Sequence, residues 1–122
     1  MIKEINSLVL AYLGDTIYED YVRIYLINKG IANVNDLQKE SINYSSAKAQ
    51  AEIVKRLINE DFFSDEELEI IKRARNHKGS SHPKNCDIVT YKYATGFEAL
   101  IGYLKLEKQE DRINEIMRNI LV

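Results

Sequence analysis

The sequence predicts an all-α fold, and three observations carry that prediction. Apolar residues recur at spacings of three and four along most of the chain, and good helix-capping residues stand ahead of most of these runs. The 122 residues include only one proline and five glycines, too little punctuation for a protein of many short strands. With 45% hydrophobic residues the chain reads as a single domain over residues 1–122. A chain of that size buries roughly two thirds of its unfolded surface.

The first helix starts at Asn6 or Ser7 and ends at Gly30, a favoured residue just past a helix C-terminus. Leu10, Leu13, Ile17, Tyr21 and Ile24 form one apolar stripe along it, while Leu8, Ala11, Val22 and Leu26 lie on the other side around Asp15 and Glu19. Helices that are apolar on two faces are usually buried, so these two acids are expected in a largely covered place. After a new cap at Asn33 to Asn35, Asp36 to Tyr44 forms a short helix with Leu37 and Ile42 inward. Ser45 or Ser46 then caps a helix whose buried stripe is Ala47, Ala51, Val54, Leu57 and Ile58, with Lys48, Gln50, Lys55 and Arg56 on its polar side. Ser64-Asp-Glu-Glu67 matches a capping box and opens a helix using Leu68, Ile71 and Ala74. Asn76 to Asn85 lacks apolar periodicity and reads as a loop. Asp87 caps a helix with the stripe Tyr93, Phe97, Leu100 and Leu104; Glu98 lies at its edge, and the small residues Thr95 and Gly102 invite a close neighbour. Asp111 to Leu121 closes the core with Ile113, Ile116, Met117, Ile120 and Leu121.

A net charge of −2 excludes a generically basic nucleic-acid protein, so polyanion binding must come from a local patch. One is visible: Lys72, Arg73, Arg75, Lys78 and Lys84, with His77 and His82, occupy a stretch without Asp or Glu. No hydrophobic run approaches the ~18 residues of a membrane span, and the first residues lack the layout of a signal peptide. With the single Cys86 unable to form an intrachain disulfide, a cytoplasmic protein is expected. The spacings of His77, His82 and Cys86 match no standard zinc site.

The chemistry concentrates on carboxylates. Asp15 and Glu19 share a helix face. A covered Asp15 requires a cation, a strong hydrogen-bond partner or a proton, whereas Glu19 is equally suited to pairing with Arg23. Seven of the eight tyrosines lie in the two helices that carry Asp15 and Glu98. Some could orient the acids; most suit packing.

Leu-Ala-Tyr-Leu-Gly-Asp-Thr-Ile-Tyr-Glu (Leu10 to Glu19) resembles the signature helix of the ribonuclease III catalytic domain, and Phe-Glu-Ala-Leu-Ile-Gly-Tyr-Leu (Phe97 to Leu104) its second acidic helix. The joining segment, Arg75-Asn76 through Lys78-Gly79-Ser80 to Pro83-Lys84-Asn85, with Tyr91-Lys92-Tyr93, is similar to the mini-ribonuclease III branch. The resemblance implies a homodimeric, all-helical, Mg²⁺-dependent endonuclease for double-stranded RNA, without a separate RNA-binding domain. It further implies maturation of large-subunit (23S) ribosomal RNA, ends carrying 5′ phosphate and 3′ hydroxyl, and the assembling large subunit or its proteins as further partners. It maps catalysis and metal ligation onto Asp15 and Glu98, with Glu19 as an additional ligand. RNA contacts fall on Arg75, Asn76, Lys78, Lys84 and Asn85, joined by Lys48 and Gln50. Larger members of the family carry further acids where this chain has Leu8, Ala11 and Thr95, so water and RNA phosphate would complete the metal shell. Two other functions fit a helical module with a basic loop: RNA binding or protein interaction without cleavage, or metal-dependent hydrolysis of small nucleotides. The first leaves Asp15 and Glu98 without a purpose, and the second lacks a base-binding group.

Overall fold

The computed structural model describes residues 2–77 and 86–122. Among the described residues six α-helices follow a short 3₁₀ turn at Ile2–Glu4: α1 (Ser7–Asn28), α2 (Val34–Ser45), α3 (Ala47–Asn59), α4 (Asp65–Arg75), α5 (Ile88–Leu106) and α6 (Glu110–Ile120). No strand occurs among the described residues. The expected loop residues Lys78, His82, Lys84 and Asn85 lie outside them.

Local chemistry sets the helix ends. The Asn6 side chain accepts from the Leu8 N–H at 2.7 Å, Ser46 from Ala49 and Asp87 from Thr90. Both halves of the Ser64/Glu67 capping box form. At the far end of α1, Gly30 takes a φ of +94°, and the Ile31 N–H returns to the Leu26 carbonyl at 3.4 Å. This closes the helix in a left-handed turn that suits glycine.

α5 is the hub, packed against α1, α3 and α4, while α2 leans on α1 and α6 closes one side. Its core residues Phe97, Ala99, Leu100, Ile101, Tyr103 and Leu104 are buried around nearly its whole circumference, as its helix-wide apolar sequence allows. α1 packs mainly on α5, and its buried face runs through Ser7, Leu10, Ala11, Gly14, Tyr18, Val22 and Leu26. That face departs from the expected stripe: Leu10 is on it, but Leu13, Ile17 and Tyr21 are half-buried and Ile24 is exposed. The reason is Gly14. A β-carbon there would stand 1.7 Å from the Glu98 carbonyl oxygen, and one on Gly102 would stand 2.0 Å from the Leu10 carbonyl oxygen. Two hydrogen-only side chains let the backbones touch, and this contact sets the rotation of α1. Ile42 is likewise exposed rather than inward, since α2 buries no residue fully.

α6 is fastened by charge as well as by Ile113, Ile116 and Met117. Arg112 donates from Nε and Nη2 to the two carboxylate oxygens of buried Glu67, both at 2.8 Å, and from Nη2 to the Phe62 carbonyl at 2.7 Å. Such a fork is strong because it satisfies both oxygens in one geometry.

Candidate active site

The Gly14–Gly102 crossing decides where the acids go. Asp15 follows Gly14 on α1, and Gly14 rests on the backbone carbonyl of Glu98 in α5, so the two carboxyl groups come side by side from distant parts of the chain. They are not equivalent. Asp15 is exposed rather than covered, because the buried face of α1 runs through Gly14 and Tyr18 on either side of it; Glu98 is half-buried. Burial, a hydrogen bond with Asp15 and the Asp15 charge push the Glu98 carboxyl up to about 9, against the opposing pull of Gln50. At neutral pH Glu98 therefore keeps its proton beside Asp15.

Glu19 lies one turn beyond Asp15 and also raises Glu98, but its carboxylate accepts from Arg23 Nε at 3.1 Å. Among the described residues no group of three or more His, Cys, Asp and Glu side chains converges as a ready-made metal cage. Leu8 and Ala11 explain part of this: the first is exposed and the second is buried in the core, with no oxygen to offer. Thr95 turns its hydroxyl back to the Tyr91 carbonyl at 2.9 Å. A pair of hard carboxylates with one open side still fits a divalent cation that keeps most of its water and shares the phosphates of a substrate, which is how Mg²⁺ is commonly held.

Gln50 is the largest departure from the expected polar faces. It is 2% exposed, not solvent-facing, and its Nε2 lies 3.5 Å from Glu98 Oε2. Its position four and seven residues before Val54 and Leu57 carries that signal, since those spacings define the buried stripe of α3. Lys48 is exposed and lines a cleft of about 400 Å³ between the N-terminal ends of α3 and α5, with Ser46, Glu52, Lys55, Cys86 and Thr90. Arg75 and Asn76 close α4, and the Arg75 guanidinium lies 5.4 Å from the Tyr93 ring centre. Lys55 Nζ lies 4.8 Å from the same ring. Tyr93 thus gathers two cations from two helices, an arrangement that the α3 pattern does not reveal. Four further tyrosines tie elements together: Tyr18 donates to the Tyr44 carbonyl, Tyr21 bonds Asn114, Tyr25 donates to the Val122 carbonyl, and Tyr103 donates to Glu66.

The family profile described as the Ribonuclease III domain matches residues 8–109, from α1 to the turn before α6. The chain belongs to the ribonuclease III family. It is 50% identical over 113 residues to the Mini-ribonuclease 3 of Brevibacillus brevis, covering 93% of this chain and 83% of that protein. Against the Mini-ribonuclease 3 of Enterococcus faecalis it is 44% identical over 115 residues, 94% of this chain and 87% of the relative. A crystal structure of a Fusobacterium nucleatum protein superposes with a TM-score of 0.87 at 36% identity, covering 97% of this chain and 94% of the other. As a ribonuclease III domain, the chain is a double-strand-specific endoribonuclease, and ribonuclease III enzymes generally work with a divalent metal. No described helix is long and apolar enough to cross a membrane.

Proposed function

We propose that this ribonuclease III domain cleaves double-stranded RNA with Mg²⁺ held by Asp15 and Glu98, acting as a homodimer in the maturation of 23S ribosomal RNA. The observation that carries the reading is the convergence of those two acids at the glycine crossing, with Glu98 kept from ionising by burial and by its neighbour. A bound Mg²⁺ would supply Lewis acidity at the scissile phosphate and ease deprotonation of the attacking water. Asp15, the exposed member, presents its carboxylate to solvent and substrate. Glu98, fixed by α5, would hold the ion together with Asp15 and would have to bind it as the carboxylate. Glu19 adds negative charge to the site and stays paired with Arg23. Attack at phosphorus with departure of the 3′ oxygen leaves a 5′ phosphate and a 3′ hydroxyl.

Duplex RNA is held mainly through phosphates and 2′ hydroxyls. Arg75, Asn76 and Lys48 supply such contacts, together with Lys78, Lys84 and Asn85 of the joining segment, and Lys55 joins Arg75 on Tyr93. Dimerisation is supported by α1 itself, where Leu8, Val9 (55% exposed) and Tyr12 (81% exposed) form an apolar patch a turn or two before Asp15. A two-fold copy docked there brings a second acidic pair to the other strand. The assembling large subunit is the setting in which such a precursor duplex is met, which makes the enzyme cytoplasmic.

Labelled duplex RNA incubated with Mg²⁺ yields short products ending in 5′ phosphate. Chelator, Asp15→Asn or Glu98→Gln abolishes them while RNA binding survives. Retained cleavage by either variant ends the proposal.

A further inference from the structure

Gln50 stands apart from the RNA-facing groups, and its surroundings give it a different task. It is 2% exposed, inside the stripe of α3 that packs on α5. A buried amide is ordinarily bonded at both ends. Here Nε2 faces Glu98 Oε2 at 3.5 Å and the Ser45 carbonyl at 3.4 Å, whereas Oε1 has no partner among the described residues. The neighbouring Ser45 Oγ is also buried and also lacks one. An apolar side chain of the same length would fill this space without leaving an oxygen unmatched.

From this we infer that Gln50 is a positioning residue, whose Nε2 anchors the Glu98 carboxylate at the site so that Asp15 and Glu98 together close on the divalent cation. The inference rests on the proposed metal site, and three features support it. α3 is a separate element from the two that carry the acids, so Gln50 can hold Glu98 from a third direction. The anchor is itself anchored, through the Ser45 carbonyl at the α2–α3 junction. The unmatched oxygen marks an amide kept for its neighbour rather than for packing. Groups that orient metal-binding carboxylates typically govern metal affinity by ~10–100-fold.

The test is Gln50→Met, which keeps the length and apolar contacts of the side chain and removes its donor and acceptor. Mg²⁺ is titrated into metal-free protein by calorimetry, and Tm is recorded with and without the ion. The expected result is about tenfold weaker Mg²⁺ binding and a smaller Mg²⁺-induced rise in Tm, with the metal-free Tm equal to or above that of the parent. A purely structural Gln50 gives the opposite pattern, a lower metal-free Tm with unchanged Mg²⁺ affinity, and overturns the inference. If Gln50→Met does not fold, the unmodified protein decides: the Gln50 side-chain amide resonances shift during a Mg²⁺ titration and stay still in Asp15→Asn. Amide resonances unmoved by bound Mg²⁺ refute the positioning role. Parent protein that binds no Mg²⁺ removes the metal site itself and the inference with it, a result distinct from the other two.

Discussion

Gly14→Ala is the sharpest perturbation of this fold, because two opposing effects predict opposite signs. In an ordinary helix interior the change stabilises by up to about 1 kcal/mol, since alanine loses less backbone freedom than glycine. Here the new β-carbon would stand 1.7 Å from the Glu98 carbonyl oxygen and 2.6 Å from its carbon, both backbone atoms that no rotamer can move. Ordinary contact begins near 3.4 Å, so with 1.7 Å available α1 and α5 must part by about 1.7 Å. Forcing extra volume into a packed core costs ~1–3 kcal/mol and sometimes more, and a backbone clash belongs at the upper end. The clash wins by about 2 kcal/mol, and at roughly 4 °C per kcal/mol Tm falls by ~8 °C. The same separation moves Asp15 from Glu98, and a misplacement near 1 Å can cost ~100-fold in rate. Scanning calorimetry and initial cleavage rates on duplex RNA measure the two effects in one preparation. A Tm that holds or rises, with full activity, would show that the helices do not touch at this crossing and would remove the physical basis of the acidic pair.

Three further outcomes follow from other contacts. Glu98 binds its proton more tightly folded than unfolded, so its contribution to stability is present below about 4.5 and is lost as pH rises through about 9; in chelator, the Tm of the parent declines across that window relative to Glu98→Gln, and Mg²⁺ reduces the decline. Arg112→Met strands the buried Glu67 carboxylate, which retains its bond from the Ser64 N–H, and lowers stability by ~3 kcal/mol in urea unfolding without altering the cleavage site. Tyr12→Lys puts a charge into the exposed apolar patch of α1 and shifts sedimentation from dimer to monomer at micromolar concentration, with loss of double-strand cutting.

Much of the architecture was legible from the chain because its helices are bounded by strong local signals. Asn6, Asn33, Ser46, Ser64 and Asp87 cap the helices as their side-chain oxygens predict. Rotation about the helix axis was less legible. The stripe through Leu13, Ile17 and Ile24 is apolar enough to be a core face, yet α1 turns toward the side where Gly14 allows backbone contact, which exposes Asp15. Periodicity counts apolar side chains and gives no weight to a residue that packs by having none. Gly102 is the exception: as a small residue beside the α5 stripe it did signal a close neighbour. Gln50 was misplaced for a related reason, since its polar type outweighed its position on the buried register of α3. The partnership of Lys55 with Arg75 joins residues twenty positions apart through Tyr93, and only tertiary structure brings them together.

Tyr93 has one more consequence. Its ring belongs to α5, while Lys55 comes from α3 and Arg75 from the end of α4. A strand of phosphates lying across both cations would draw three helices toward a common point, so gripping the substrate and tightening the bundle become a single event. An uncleavable duplex would then act on this small protein as a splint, and the enzyme would be most rigid when it has something to cut.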